Sequence, residues 1–552
     1  MKLSAFGLIV GLVLGGGVTA LAQTSSTNAS LYIQRLGIVA TDARAAVHYF
    51  FDTLEGAGLA SNLLDVAFLD ARSQPGAGLL SWSNSIATVG PIARLPAGLM
   101  VNGDGLQTNS CFFVTNLPAT PDSRTVVFWY HAFYDGNIAG NLESPIVGLA
   151  CAGSGWVDGC SMYCEAVTDF KVISVRDGGN VGRTDTLGPR INNVNLACIA
   201  MASSSTGTMG AWFTPSARIY STQTAQGVGP GSPAIAIFGA DIWGRTNPSA
   251  CGVYRAFAIF NKVLSSNEVA MVDAALPRTG VIFEGDSKTA GNASWPTFFL
   301  QSTQHCGLVQ MLTNSAVAGT WLGGAGDTME GRWPGDSAFV PSGMYPAMIY
   351  CLRGGLHDIN DTTNPNKVPT LINNASNLIV AARSAGMKTA IFTLEPTYID
   401  TSNAVPVAQF NAWVRTNGLS TWVVDADAYY ESQWGAFCWT NSLIFGDGIH
   451  ETAVGYRLLG SNCVASAISE PLFQAPSPQI TGVNLSGTTL SMAAINGAAG
   501  GSWTLLQSAD VTVPLERWTT LTSGTFDGSG QLFTNLLNVA TNSRQFFVLR
   551  VQ

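Results

Sequence analysis

The sequence predicts a multidomain chain of three segments: a β-sandwich, then an α/β doubly wound parallel sheet, then a second, smaller β-sandwich. Three observations predict it. From about residue 30 to 276, short runs of β-branched and aromatic residues are separated by clusters of Gly, Asn, Ser and Pro. From Gly280 to about Gln474, short apolar runs alternate with helical stretches. After Pro476-Ser477-Pro478 the chain turns polar and β-like and carries no cysteine.

The N-terminus comes before these segments. Lys2, the apolar run from Ala5 to Leu14, and Ala20-Leu21-Ala22 together read as an export signal, residues 1–22, with cleavage before Gln23. The alternative is a membrane anchor, but Gly15-Gly16-Gly17 interrupts the run and leaves it too short to span a bilayer comfortably. No cysteine stands at the cleavage site, which excludes lipid attachment there. The expected mature protein is secreted or periplasmic, with no membrane span. Loss of residues 1–22 removes one lysine and no acid, taking the formal charge from −9 to −10. An acidic chain with only 11% charged residues is a poor partner for nucleic acid or anionic lipid. A length of 552 residues leaves room for about three domains.

The first segment, 30–278, contains Thr125 to His131, Phe170 to Val175, Leu196 to Ala202 and Ala234 to Phe238 as predicted strands. It ends with the run Tyr254 to Phe260 and then Ser265 and Glu268, spaced as a capping box that starts a short helix. This ending, with the mid-segment strand TVVFWYH, resembles the laminin-G-like or concanavalin-type jelly rolls of secreted carbohydrate-active enzymes. The stretch from Leu31 to Pro96 departs from that pattern, with a helical periodicity over Asp42 to Leu54. Asn102-Gly103-Asp104-Gly105 could hold calcium, but no spaced carboxylates follow and a polar turn is the better reading.

In the second segment, 279–474, Val281 to Phe283, Leu308 to Leu312, Ala347 to Leu352, Thr389 to Leu394 and Trp422 to Val424 suit buried parallel strands. Val368 to Ala385, Val405 to Asn417 and Thr452 to Ile468 read as helices between and after them. In the third segment, 478–552, Trp503 to Leu506, Trp518 to Leu521 and Gln545 to Leu549 read as strands, with a turn at Asp527-Gly528-Ser529-Gly530. It resembles the small sandwich modules at the C-termini of secreted bacterial polysaccharide enzymes.

Ten cysteines fall six in the first segment, four in the second and none in the third. Even counts in an exported chain predict disulfides within each segment, their pairing left open. Cys160 and Cys164 have a ligand-like spacing, but no histidine or second cysteine pair lies nearby, so zinc ranks below disulfide. No metal site and no cofactor is expected.

The chemistry lies in the second segment. Gly285-Asp286-Ser287 follows the strand that ends at Glu284, and Asp447-Gly448-Ile449-His450 precedes the last helix. A serine hydroxyl attacks an acyl group only when a histidine takes its proton and a carboxylate holds that histidine in the right tautomer. Ser287, His450 and Asp447 supply that set. Alternatively, Asp447 could merely cap the helix and His450 could be an ordinary surface side chain.

Two further blocks complete an ordered set of four: Asn314 to Gly319 after the second strand, and Gly355-Leu356-His357-Asp358 after the third. The set resembles the SGNH hydrolases, or GDSL esterases, over roughly residues 279–470. The resemblance implies a flavodoxin-like sheet, Ser287 as nucleophile, His450 as general base and Asp447 as its orienting partner. It also implies an oxyanion hole built from the N–H groups of Ser287 and Gly319 and a third donor. That third donor is usually an asparagine, where this chain has His357. An imidazole ring N–H can serve instead; alternatively, His357 only packs at the strand end and the enzyme is slow.

Asp286 is expected to fix the turn, with Glu284 and Lys288 structural or facing substrate. Trp156, Trp212 and Trp503 are the tryptophans considered for stacking on sugars, and none is assigned that role. The resulting expectation is a secreted, metal-independent serine esterase that removes acyl groups, acetyl foremost, from a polysaccharide, with glycan binding possible in the flanking sandwiches. Esters other than carbohydrate remain open as substrates. The alternative class is a carbohydrate-binding or adhesion protein with a weak or inactive hydrolase domain.

Overall fold

A computed structural model of the protein describes residues 7–12, 41–69, 86–89, 92–101, 111–114, 123–132, 144–151, 159–167, 170–177, 183–184, 195–204, 207–215, 217–224, 233–239, 252–291, 294–323, 327–342, 344–395, 403–435, 437–468, 479–486, 489–495, 502–510, 517–527, 532–536 and 545–551. The chain divides into two compact units, one of residues 57–71 and 79–473, the other of residues 1–56, 72–78 and 474–552. Ala20 to Ala22, Asn102 to Gly105 and Trp156 lie outside the described residues.

In the larger unit two antiparallel sheets come first. One runs in the order Arg183–Thr184, Phe170–Asp177, Gly159–Val167, Ser144–Cys151, Pro233–Phe238, Cys111–Val114, Ile86–Val89. The other runs Arg218–Thr224, Gly207–Phe213, Ala197–Ser204, Ser123–Ala132, Gly252–Phe260, Gly98–Val101, Ile92–Leu95, and Leu63–Phe68 also pairs with Gly252–Phe260. Aromatic side chains meet between them. Phe112 and Phe238 of the first sheet touch Phe128, Tyr254 and Phe257 of the second at ring distances of 5.1 to 5.8 Å, the contact expected of a sandwich core.

The helix Ser266–Ala275 follows with the predicted capping box. The Glu268 N–H donates to Ser265 Oγ at 3.3 Å, and the Ser265 N–H donates to Glu268 Oε2 at 2.8 Å. Buried cations then join the sandwich to the next layer. Arg278 binds Asp273 and Gln310, while Arg255 donates to the carbonyls of Pro277 and Gly307. Leu95, Ala97 and Val253 share a core with Val281, Phe283 and Val309, so apolar packing is continuous from one layer into the next.

The α/β layer has five parallel strands: β1 (Thr279–Gly285), β2 (Val309–Asn314), β3 (Ala347–Arg353), β4 (Lys388–Phe392) and β5 (Trp422–Val424). Their order in the sheet is β2-β1-β3-β4-β5. This is the doubly wound order whose direction reverses beside β1, and open sheets of this kind form their site at the carboxyl ends of the strands there. Helices α1 (Trp295–Leu300), α2 (Met329–Asp336), α3 (Leu356–Asn360), α4 (Lys367–Ser384), α5 (Ala404–Thr416), α6 (Ala426–Trp434) and α7 (Ala453–Leu458) connect or follow the strands. Side chains alternate across the sheet. Val281 and Phe283 pack with Trp295 and Phe299 on one face, while Ile282 packs with Tyr350 and Leu352 on the other.

The smaller unit contains the helix Thr41–Gly56 and two sheets. Gln479–Ser486, Thr489–Ile495 and Leu532–Leu536 form one. The other has the order Gly7–Leu12, Gln545–Val551, Ser502–Ser508, Thr519–Thr525. Leu490, Met492, Leu505, Phe526 and Leu549 make its core. Gly7–Leu12 falls inside the segment read as an export signal, and here it pairs antiparallel with the C-terminal strand.

Two expectations are corrected. Cys351, Cys438 and Cys463 are free thiols, so the four cysteines of the second segment form no disulfide; Cys111 and Cys198 are also free. Cys351 and Cys438 sit in the apolar core as small hydrophobic side chains, and burial pushes the Cys438 thiol up to about 11. Trp212 and Trp503 are buried, in keeping with the assignment of no sugar-stacking role to either. The last helix is not a uniform α-helix but widens into a π turn at Leu459–Val464. There Gly460 lies so close to α1 that a Cβ would come 2.4 Å from the Trp295 carbonyl oxygen. Among the described residues no helix is long and apolar enough to cross a membrane.

Candidate active site

β1 is buried along its whole length because it lies between β2 and β3, so the chain can reach solvent only beyond its carboxyl end. The turn there is tight. A Cβ on Gly285 would come 2.4 Å from Thr289 Oγ1 and 2.5 Å from the Arg353 carbonyl oxygen, so only glycine lets it close. Asp286 is buried and organises the turn. Its Oδ1 accepts the Lys288 N–H at 3.0 Å, and its carbonyl accepts the N–H groups of Thr289 and Ala290. Ser287 is left half-buried at the rim.

The Asp/His loop is closed by a bridge between Phe445 and Glu451 and by the Gly446 N–H on the His450 carbonyl at 2.9 Å. Asp447 uses both carboxylate oxygens. Oδ1 accepts the N–H groups of Ile449 and His450 at 2.9 and 2.6 Å, and Oδ2 takes His450 Nδ1 at 2.8 Å. The following helix is capped by Thr452, whose hydroxyl accepts the Gly455 N–H at 3.2 Å. Asp447 is therefore not the helix cap. With Nδ1–H donating to the carboxylate, Nε2 carries the lone pair, and it lies 2.9 Å from Ser287 Oγ.

The His450 hydrogen bond, reinforced by the two backbone N–H groups, holds the Asp447 carboxyl well below the usual carboxylate range. The side chain is 55% exposed, so hydrogen bonding and not burial keeps it ionised. The structure thus brings together Ser287, His450 and Asp447, three residues spread over 164 positions of sequence.

The loop after β2 runs beside the turn that carries Ser287. The Ser315 N–H donates to the Phe283 carbonyl at 2.8 Å and the Val317 N–H to the Gly285 carbonyl at 3.1 Å. Buried Asp336 accepts from Ser315 Oγ at 2.6 Å, and Asn314 Nδ2 donates to the Thr289 carbonyl at 3.1 Å. Gly319 follows with φ of +77° and open space where a side chain would stand, a backbone that other residues adopt only with strain.

On the other side of β1, β3 ends at Arg353, level with Gly285 in the sheet. His357 lies four residues beyond it, half-buried in α3. Its neighbour Asp358 accepts the Leu322 N–H at 3.0 Å and so ties this loop to the one that carries Gly319. Among the described residues, the N–H groups of Ser287 and Gly319 and the His357 ring have no hydrogen-bond partner in the protein.

Glu284 and Lys288 flank the turn, but both are buried and neither faces substrate. Glu284 pairs with Arg332 at 2.7 Å; burial pushes its carboxyl up to about 7 against the pull of that guanidinium. Lys288 pairs with Glu395, which shares Arg353 with Glu451. Sequence reasoning did not find Arg353, Glu395 and Glu451. Their only signal is a charge at the end of an apolar strand or directly after a site residue. Among the described residues no group of three or more His, Cys, Asp or Glu side chains is arranged to hold a metal ion.

No family model and no curated protein matches this chain. Among solved structures it is similar to a putative acylhydrolase from Bacteroides fragilis, with 22% identity over 37% of this chain and 96% of that one, at a TM-score of 0.27. It is also similar to an acetylxylan esterase from Geobacillus stearothermophilus, with 10% identity over 36% and 98% of the two chains and a TM-score of 0.28. A GDSL-like lipase from Bacteroides thetaiotaomicron shows 17% identity over 37% and 96%, at a TM-score of 0.25. Likeness this loose says nothing about substrate or mechanism.

Proposed function

We propose that this protein is a serine carboxylic-ester hydrolase that removes acyl groups, acetyl foremost, from a polysaccharide. The observation that carries the reading is the unbroken relay Asp447 Oδ2, His450 Nδ1, His450 Nε2, Ser287 Oγ, with links of 2.8 and 2.9 Å. In the first half-reaction Ser287 Oγ bonds to the ester carbonyl carbon as its proton passes to His450 Nε2. The tetrahedral intermediate collapses, the C–O bond to the alcohol breaks, and His450 returns the proton to the leaving oxygen. Water then repeats the sequence on the acyl-serine and releases the acid. Ser287 N–H, Gly319 N–H and the His357 ring are the donors assigned to the oxyanion.

The polysaccharide substrate rests on the sequence resemblance and on the antiparallel sheets that precede the α/β layer in the larger unit. Export with cleavage before Gln23 rests on the N-terminal pattern, and N-terminal sequencing of the secreted protein tests it. The complete relay favours an enzyme over an adhesion protein with an inactive domain. Hydrolysis of a chromogenic acetyl ester should be present in wild type and lost in Ser287→Ala. Turnover that survives the substitution rules this reading out. Acetate release across acetylated polysaccharides then identifies the natural ester.

A further inference from the structure

Two of the three relay residues are each followed directly by a buried charge, Ser287 by Lys288 and His450 by Glu451. The two charges belong to one buried network. Arg353, at the end of β3, donates through Nη1 to the Lys288 carbonyl at 3.1 Å and through Nη2 to Glu395 at 2.9 Å and to Glu451. Lys288 Nζ closes the circuit on Glu395. All four side chains are at least 95% buried. Tyr430 adds a hydroxyl 3.5 Å from Glu451 and 3.2 Å from the Gly455 carbonyl, which binds the network to the helix after the Asp/His loop.

We propose that this network of Lys288, Arg353, Glu395 and Glu451 positions the catalytic serine against the catalytic histidine; the proposal rests on the serine-hydrolase reading above. The geometry argues for it. Ser287 stands on the turn after β1 and His450 on a loop more than 160 residues later, and the bond that joins their side chains is the reacting one at 2.9 Å. A reacting hydrogen bond does not by itself hold two loops in register, because it breaks in every turnover. Arg353 spans the gap. One guanidinium grips the main chain of the serine turn and the side chain next to the histidine, and its planar fork sets the directions of those bonds.

Burial makes the arrangement rigid. Two cations and two carboxylates out of water have no solvent to fall back on, so each must keep its partner. Their charges cancel as a set. Burial pushes the Glu451 carboxyl up, with Glu395 adding to the shift and Arg353 opposing it, whereas Arg353 and Lys288 overcome burial at Glu395 and hold it down at about 2. None of the four reaches the substrate, so they are positioning residues.

Glu451→Gln and Arg353→Lys test the proposal in the full chain. The first keeps shape and removes a charge; the second keeps the charge and removes the fork. For each, kcat and KM on a chromogenic acetyl ester are measured, with the rate of Ser287 modification by a fluorophosphonate, all per folded molecule by near-UV circular dichroism. The expected result is a fall in kcat and in labelling rate of about 100-fold, the size of a misplacement near 1 Å, with KM within about twofold. A folded variant that keeps wild-type kcat and labelling overturns the proposal, even if its melting temperature falls. If Glu451→Gln does not fold, Arg353→Lys decides by the same criteria. If neither folds, Lys288→Met with Glu395→Leu, which removes one cation and one carboxylate together, must show the same loss; wild-type kcat in that variant overturns the proposal. Failure of the underlying reading looks different, since wild type itself would then neither turn over nor be labelled at Ser287.

Discussion

Two clusters of ion pairs in the α/β layer use the same chemistry in opposite settings. Arg415 grips Asp425 with two bonds of 2.7 and 2.8 Å and reaches Asp427 at 2.8 Å, but its side chain is 37% exposed. Arg353 grips Glu395 and Glu451 with its side chain only 2% exposed. Water competes with every bond of the first cluster and salt screens it, so its geometry is a preference. The second has no competitor, so its geometry is a constraint. The constraint sits where the loops that carry Ser287 and His450 meet, and the preference sits at the edge of the sheet beside β5.

The largest effect that would break this comparison is on stability. Arg353→Met leaves two buried carboxylates without their shared cation and should cost about 3–5 kcal/mol, read from urea unfolding. A loss below about 1 kcal/mol would place Arg353 in the same class as Arg415. Next in size is a change at the rim. His357→Ala should lower kcat/KM by roughly 100- to 1000-fold, about 2.7–4 kcal/mol of transition-state stabilisation, with unfolding unchanged. His357→Asn should restore most of the rate, because an amide N–H can donate in its place; equal activity in all three proteins would remove His357 from the oxyanion hole.

A third effect comes from an uncharged group in the same interior. Burial holds the His305 ring down at about 4, with its Nε2 on the Ala465 carbonyl at 3.1 Å. Below pH 6.5 the unfolded chain binds a proton at this ring that the native state refuses, so stability falls as the pH drops from about 6.5 to 4. The loss is about 3 kcal/mol across that window. His305→Gln should flatten that part of the stability profile, and an unchanged slope contradicts the assignment. The smallest effect is Arg415→Gln, about 0–1 kcal/mol in urea and close to zero in high salt.

The sequence made some of this legible for physical reasons. Parallel strands buried on both faces must be apolar throughout, so Val281 to Phe283 and Trp422 to Val424 stand out against their neighbours. The cluster of Ser287, Asp447 and His450 was legible because a serine after a strand and an Asp/His pair before a helix are local patterns. Thr452 separates the real cap from the apparent one, yet only coordinates show that Asp447 spends its oxygens on the loop and the ring. The Arg353 network was not legible, because its members come from four places in the chain and meet only when β1, β3 and β4 are side by side. The cysteines misled for a related reason. Counting them assumes that they pair, whereas Cys351 and Cys438 fill core positions where any small apolar side chain would fit.

The central claim is that Ser287 is the nucleophile activated through His450 and Asp447. Peptide mapping by mass spectrometry after reaction with a fluorophosphonate tests it most directly. The account predicts one adduct, on Ser287, formed at full rate by wild type and slowed at least about 100-fold in His450→Ala. An adduct on another serine, or an unlabelled protein that still hydrolyses esters, would contradict it.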